Sequence, residues 1–140
     1  MPLMKSWVAS ANAPDHPFPL NNLPYGVFSV GDADPRCGVA IGDMILDCRA
    51  AEEAGLIDLA GGAVFDVPFW NELMELGPEA WAAFRARMVE LLAEGSDWRG
   101  EARVIDFPQA VDALHHPDAF TLFARDIDRL CRYFARQGVE

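Results

Sequence analysis

The sequence predicts a small, mainly β domain with short helices, followed by a C-terminal helical tail. Residues 25–48 contain three short runs of apolar and β-forming residues, separated by turn-forming residues. Residues 78–94 and 119–137 instead carry apolar residues at every third or fourth position, as amphipathic helices do. The 140 residues suffice for one domain with a core, because a single core usually serves about 100–200 residues.

An irregular arm precedes the strands. Residues 13–24 are rich in proline, which lacks the backbone N–H group that helices and central strands need. We therefore predict an N-terminal arm over residues 1–17 and an irregular connection from there to residue 24.

Three antiparallel strands follow as a meander. Residues 25–30 are rich in β-forming side chains, residues 31–36 have the composition of a turn, and residues 37–41 are apolar again. Gly42-Asp43 forms a two-residue turn, after which residues 44–48 return as the third strand.

Helices are predicted after the meander. Residues 49–60 have only weak helical spacing, which ends at Gly61-Gly62. Pro68 suits the first position of a short helix that ends at Gly77, and Pro78 begins a longer helix that Gly95 ends. The apolar face of the longer helix consists of Trp81, Phe84, Met88 and Leu91. Residues 104–114 predict a loop with an edge strand.

Composition excludes several classes of protein. The net charge of −11 disfavours binding to nucleic acid, whose phosphates are also negative. No apolar run reaches the roughly 18–20 residues that span a bilayer, and residues 1–13 lack the apolar core of a secretion signal. Cys37, Cys48 and Cys131 are odd in number and form no C-x-x-C pair, which predicts buried or free thiols in a reducing cytoplasm.

The sequence gives little support for catalysis by a serine or cysteine nucleophile. No serine lies within a G-x-S-x-G motif. A cysteine nucleophile needs one of His16, His115 or His116 beside it, which the sequence does not show, so structural cysteines are the preferred interpretation. No catalytic residue is predicted.

Metal and phosphate sites are likewise not predicted. The side chains of His115 and His116 point apart on any regular element, and Asp32 and Asp34 lack the glycine and glutamate of a calcium loop. Gly61-Gly62 lacks the lysine and hydroxyl residue of a phosphate loop. The remaining acids are interpreted as solvated helix faces: Glu52, Glu53, Glu72, Glu75 and Glu79. No metal or cofactor is therefore expected in this chain.

Four stretches in a specific order carry a resemblance. Residues 18–29 read F-P-x-x-N-L-P-Y-G-V-F-S, and residues 34–47 contain D-P-R followed by G-V-A-I-G-D-x-I-L-D. Residues 64–81 read VFDVPFWNELMELGPEAW, and A-L-H-H-P follows at residues 113–117. Together they resemble the start of fumarylacetoacetase, the last enzyme of tyrosine and homogentisate breakdown, over about 100 of the 140 residues.

The resemblance implies a fold and a reaction. Residues 18–117 are expected to form an SH3-like barrel, ahead of a larger catalytic domain that forms a homodimer in that family. Gly26, Gly38 and Gly42 lie within or beside the strands, where a missing Cβ permits bends and close backbone approach. The implied reaction hydrolyses a carbon–carbon bond to give fumarate and acetoacetate, with Ca²⁺ or Mg²⁺ held by carboxylates and a histidine base.

Residues 118–140 depart from the family pattern. The D-Y-x-D-F-Y motif expected after Pro117 is missing, and its position by distance places Arg125 at the metal aspartate and Arg132 at the base. Asp126 and Asp128 lie nearby but in the sequence R-D-I-D-R-L-C. We therefore expect the catalytic domain to be absent, whether through a truncated or frame-shifted gene, a degenerate copy or a tail with a separate use.

Two functions remain open at this point. The first is an N-terminal fumarylacetoacetase domain that is inactive alone, and the second is a stand-alone barrel that binds a protein partner such as an intact paralogue. In the predicted 119–137 helix the apolar row and the arginine row repeat with the same spacing: Phe123, Ile127, Leu130 and Phe134, and Arg125, Arg129, Arg132 and Arg136. We expect this helix to pair with a second copy, the alternative being that it folds back on the barrel.

Overall fold

An antiparallel sheet of four strands, in the order β1-β2-β3-β4, organises the N-terminal part of the protein. The computed structural model describes residues 2–59, 62–106, 127–128 and 131–132. It divides the chain into two compact units, Met1–Phe107 and Pro108–Glu140. The strands are β1 (Tyr25–Phe28), β2 (Arg36–Ile41), β3 (Met44–Asp47) and β4 (Val104–Asp106), and the helices are α1 (Cys48–Glu53), α2 (Asn71–Glu75) and α3 (Pro78–Leu92).

The predicted meander is confirmed by the register of the strands. Gly26 of β1 lies opposite Gly38 of β2, and Ile41 of β2 lies opposite Met44 of β3 across the Gly42-Asp43 turn. Strand β1 ends at Phe28, two residues earlier than predicted, because residues 29–35 form the connection to β2. The predicted edge strand is also confirmed, since β4 pairs with β3.

The sheet is open within the described residues. Strands β1 and β4 are its two edges and are not paired with each other, whereas a closed barrel requires the first and last strands to be hydrogen-bonded neighbours. The described part of the chain is therefore a small antiparallel sheet with short helices. The SH3-like closure implied by the resemblance is not seen in it.

The third strand ends earlier than predicted because Asp47 begins a helix. The Asp47 Oδ1 atom accepts a hydrogen bond from the backbone N–H of Ala50 at 3.0 Å, which makes Asp47 the N-cap of α1. Cys48 is consequently the first residue of α1 and not the last of β3. The helix ends at Glu53, so the weak helical spacing predicted for residues 49–60 is realised only over its first half.

Helices α2 and α3 correct the predicted boundaries. Pro68 lies ahead of α2, which begins at Asn71, so Pro68 does not hold the first helical position. Gly77 adopts a positive φ of 88° between the two helices, as its predicted capping role requires. Helix α3 begins at Pro78 as predicted but ends at Leu92. Phe84, Met88 and Leu91 are buried, whereas Trp81, predicted on the same face, is 45% exposed.

The N-terminal arm satisfies the last carbonyl groups of α3. The Ser6 hydroxyl donates to the carbonyl oxygen of Leu92 at 2.6 Å, and the Trp7 indole N–H donates to that of Leu91 at 2.9 Å. The last four carbonyls of a helix lack partners within it, so these bonds stabilise the end of α3. The arm is thus an integral part of the N-terminal unit.

One apolar core joins the arm, the sheet and the helices. Phe84 of α3 lies with its ring centroid 5.4 Å from that of Tyr25 and 5.3 Å from that of Phe65. The larger buried side chains of this core are Leu20, Leu23, Val39, Ile41, Leu46, Phe65, Phe84, Met88, Leu91 and Leu92. The core accordingly lies between one face of the sheet and the helices.

Gly42 generates a first prediction, because two constraints meet at this turn. Its φ of +53° disfavours any L side chain, and a Cβ there would lie 2.6 Å from the backbone nitrogen of Ala11. We expect Gly42→Ala to lower the free energy of unfolding by about 2 kcal/mol or more, measured by urea denaturation. Gly95 has open space around its Cα, so Gly95→Ala is the matched control and should change stability by less than about 0.5 kcal/mol. Equal effects of the two substitutions would contradict the packing at Gly42.

Candidate interaction surface

The face of the sheet that points away from the core is apolar. Register places Phe28, Ala40 and Ile45 on this outer face, while Val39 and Leu46 point into the core. With Phe18 and Pro24 at its side, the outer face lines an open groove of about 200 Å³. We name this groove the sheet groove; its lining is Phe18, Pro24, Tyr25, Gly26, Val27, Phe28, Gly38, Ala40 and Ile45.

Gly38 forms the floor of the sheet groove. A Cβ at this position would lie 2.5 Å from Cγ2 of Ile45 and 2.7 Å from the ring of Phe28. Those two side chains therefore close over the glycine from the neighbouring strands. The groove depends on a residue without a side chain at the middle of β2.

The arm is fastened beside the sheet groove by polar contacts at the β2–β3 turn. The backbone N–H of Gly42 donates to the carbonyl oxygen of Phe18 at 2.7 Å, and that of Asp43 donates to the Ser10 hydroxyl at 2.9 Å. His16 Nε2 lies 2.9 Å from Asp43 Oδ1, and its Nδ1 accepts from the N–H of Phe18 at 3.1 Å. These contacts fix Phe18 at the edge of the groove.

A partly buried ion pair bounds the other end of the outer face. Arg36 Nη1 donates to Asp47 Oδ2 at 2.9 Å, and the Asp47 side chain is only 1% exposed. The same carboxylate caps α1 through its other oxygen. Because a buried carboxylate is stable only when it is paired and hydrogen-bonded, this end of the face is structurally fixed.

The described candidates for nucleophilic catalysis, His16 and the cysteines, do not form a histidine–cysteine contact. Cys37 and Cys48 are buried free thiols, and Cys131 is an exposed free thiol. Both ring nitrogens of His16 are engaged with Asp43 and Phe18, and no contact between His16 and a cysteine is present among the described residues. His115 and His116 lie outside the described residues.

Burial suppresses the reactivity of the two core thiols. Desolvation raises the pKa of the Cys37 thiol from 9.0 to about 11. The pKa of the Cys48 thiol is also raised, first by burial and then by the nearby Cys37, Asp47 and Glu52. Since the thiolate is the nucleophile, neither group is activated for catalysis near neutral pH.

The acidic residues divide into two groups, one of which corrects the sequence interpretation. Glu52 is not a solvated residue: its two carboxylate oxygens accept hydrogen bonds from the backbone N–H groups of Val64 at 2.9 Å and Phe65 at 3.0 Å. Glu72, Glu75 and Glu79 are exposed, as predicted. Asp32 and Asp34 lie in an exposed turn, and within the described residues no group of three or more metal-ligating side chains comes together.

Of Arg125 and Arg132, which stand at the expected catalytic positions, only Arg132 falls within the described residues. Arg132, aligned by distance with the base, donates to Asp128 at 2.9 Å, one helical turn earlier, and both side chains are exposed. Arg125 and Asp126 lie outside the described residues. The described part of the tail, residues 127–128 and 131–132, is helical.

Comparison with known proteins decides the family. The sequence model of the family described as "Fumarylacetoacetase N-terminal" matches residues 21–119. The chain belongs to the fumarylacetoacetase N-terminal family. The fumarylacetoacetase of Bos taurus is 45% identical over 84 residues, which are 58% of this chain and 20% of that protein.

Two further relatives agree with this assignment. The fumarylacetoacetase of Arabidopsis thaliana is 39% identical over 97 residues, or 66% of this chain and 23% of the relative. That of Caenorhabditis elegans is 45% identical over 96 residues, or 65% of this chain and 22% of the relative. The chain thus spans about a fifth of the length of the fumarylacetoacetases it matches.

Across the described ranges, no helix combines the length and the apolar character needed to cross a bilayer.

The sheet groove and the ion pair were not identified from sequence. The signal for the groove is present in residues 37–48, where apolar side chains continue on both faces of a strand instead of alternating with polar ones. The hydrogen bonds that Glu52 accepts from Val64 and Phe65 give no such signal in the sequence, because they join a helix to a loop twelve or thirteen residues away.

The thiol environments generate the second prediction. At about pH 8, iodoacetamide should modify the exposed Cys131 and leave Cys37 and Cys48 intact, because these are buried and protonated. Peptide mass spectrometry measures the modification at each site. Unfolding in urea is the control and should expose all three thiols. Modification of Cys37 as fast as that of Cys131 in the folded protein would contradict the structure.

Proposed function

We propose that this chain is a non-catalytic N-terminal domain of a fumarylacetoacetase-like protein of tyrosine breakdown. The family match over residues 21–119 carries the proposal. In this function the domain supports an enzyme that hydrolyses 4-fumarylacetoacetate to fumarate and acetoacetate. The chemistry takes place outside the domain.

The residues at the expected catalytic positions support a non-catalytic role. Arginine remains protonated in proteins and has no lone pair to accept a proton, so Arg132 cannot act as a general base. The neighbouring Asp128 holds this guanidinium in an ion pair. Cys37 and Cys48 are protonated core thiols, and the ring of His16 is engaged at the β2–β3 turn.

The occupant proposed for the sheet groove is the larger remaining part of a fumarylacetoacetase. About four-fifths of each relative lies beyond the segment matched by this chain. The groove is apolar, and the described residues of its own unit leave it open. An apolar face of this kind gains free energy when another surface covers it.

The finer description of the fold belongs to the same proposal. An SH3-like barrel requires additional strands to complete the sheet between β4 and β1. Both are edge strands of the described sheet, and edge strands offer unpaired backbone groups to further strands.

The third prediction tests the non-catalytic role. With excess Mg²⁺ or Ca²⁺, the purified chain should leave the absorbance of fumarylacetoacetate unchanged, because Arg125 and Arg132 occupy the positions of the metal aspartate and the base. The Bos taurus fumarylacetoacetase, assayed under the same conditions, is the positive control. Cleavage by this chain above the uncatalysed rate would overturn the proposal.

The fourth prediction tests the occupant of the sheet groove by segment exchange. The segment of the Bos taurus enzyme that matches this chain is replaced by the corresponding residues of this chain, and Ala40→Asp is introduced both there and in the isolated chain. In the isolated chain the new carboxylate meets water, whereas in the chimera it would be buried without a partner. We expect the melting temperature of the chimera to fall by at least about 5 °C more than that of the isolated chain.

Ala82→Asp on the exposed face of α3 is the matched control and should have a small effect in both proteins. If Ala40→Asp has the same effect in the chimera and in the isolated chain, the groove is not covered by the enzyme. That result would favour the alternative of a stand-alone interaction module.

A further inference from the structure

A second apolar surface lies on the helix side of the N-terminal unit and shares Tyr25 with the sheet groove. Phe69, Met74 and Trp81 are 50%, 61% and 45% exposed, and Tyr25 is 43% exposed. Together with Trp70 they form what we name the aromatic surface: Tyr25, Phe69, Trp70, Met74 and Trp81. Large side chains of this kind are typical of the centres of protein interfaces.

The aromatic surface is held in place by specific contacts. The rings of Tyr25 and Trp70 are stacked with centroids 4.7 Å apart, and both rest on the buried ring of Phe84. The Trp81 indole N–H donates to the carbonyl oxygens of Leu73 at 3.0 Å and Met74 at 3.2 Å. The rings of Tyr25, Trp70 and Trp81 therefore have fixed orientations before any partner binds.

Three carboxylates accompany the aromatic surface. Glu72 and Glu75 lie on α2, which also carries Met74, and Glu79 lies in the first turn of α3, which also carries Trp81. All three are exposed, and within the described ranges none has a cationic partner. Exposed Glu53 and Glu90, by contrast, are paired with Arg49 and Arg87. The aromatic surface thus carries negative charge that the described side chains do not neutralise.

Arginine is the side chain that suits both features. Its guanidinium stacks on aromatic faces and forms ion pairs with carboxylates. The chain already uses this contact, since Arg87 lies 5.2 Å from the ring centroid of Trp98 and Arg99 lies 5.9 Å from that of Trp7. No described arginine covers Trp81 in this way.

We propose that the aromatic surface binds the arginine row of residues 119–137 from a second copy of this chain. The row consists of Arg125, Arg129, Arg132 and Arg136. At spacings of four, three and four residues these side chains share one face of the predicted helix. The described part of this segment is helical, and the Arg132 side chain is 73% exposed while it forms an ion pair with Asp128.

Reciprocity favours a second copy over an unrelated partner. Each copy carries one aromatic surface and one arginine row, so two copies can exchange the same contact in both directions. Such an exchange closes a twofold dimer and leaves neither element unpaired. The carboxylates of the aromatic surface and the arginine row also attract each other at a distance, which favours association at low ionic strength. The inference is tested independently of the proposed function, because none of the charged residues that carry it lines the sheet groove.

Charge exchange on the full chain tests the proposal. Light scattering at low salt should give twice the 15.4 kDa mass of one chain. One variant reverses the three carboxylates (Glu72→Lys, Glu75→Lys and Glu79→Lys), and another reverses the arginine row (each of the four arginines to Glu). Each variant should weaken dimerisation by about tenfold or more. Combining both sets should restore the dimer, because the attraction is then re-established with opposite signs.

The matched control reverses three exposed acids that are not on the aromatic surface: Asp32→Lys, Asp34→Lys and Glu101→Lys. These substitutions should leave the dimer intact. Circular dichroism confirms that every variant is folded. A wild-type chain that stays monomeric, a dimer that survives either reversal, or a combined variant that stays monomeric would each overturn the proposal.

Discussion

The buried carboxylate of Asp47 is the interaction on which the arrangement of the N-terminal unit depends. One oxygen accepts from Arg36 on β2 at 2.9 Å, the other accepts from Ala50 on α1 at 3.0 Å, and the backbone N–H of Asp47 donates to Arg103 beside β4 at 3.1 Å. One residue thus connects three strands and the first helix. Because a buried charge without partners costs several kcal/mol, these elements keep their relative positions together.

The second half of α1 extends this constraint to the aromatic residues. Once Asp47 fixes the start of the helix, Glu52 lies where its carboxylate accepts from the N–H groups of Val64 and Phe65. Phe65 is thereby placed with its ring centroid 5.4 Å from that of Trp70 and 5.3 Å from that of Phe84. The position of the aromatic surface therefore depends on the polar contacts of Asp47 at the end of β3. The sheet groove and the aromatic surface both depend on these contacts, and Tyr25 of β1 belongs to both.

The sequence pattern predicts the elements whose structure is determined by residues close together in the chain. The three strands of the meander and the start of α3 follow from apolar runs, a Gly-Asp turn and a proline at the first helical position, all of which act over a few residues. The contacts that sequence did not predict join distant segments: Ser6 with Leu92, and Glu52 with Val64. A serine and a glutamate have the same local appearance whether they are solvated or buried against a backbone group. The sheet groove falls between these cases, since its apolar side chains are visible in the strands but its depth requires the register that places Gly38 between Phe28 and Ile45.

The family match and the physical domain have different limits at the N-terminal side. The match begins at residue 21, yet Val8 and Ala11 are buried in the core and Ser6 and Trp7 satisfy the end of α3. Gly42, which lies inside the match, is constrained by a residue outside it, because the space that its Cβ would occupy is taken by the backbone of Ala11. A glycine at this turn is required for two separate reasons, its positive φ and the passage of the arm. The arm is consequently part of the folding unit, and a domain cut at the family boundary would lose the residues that complete its core and cap α3.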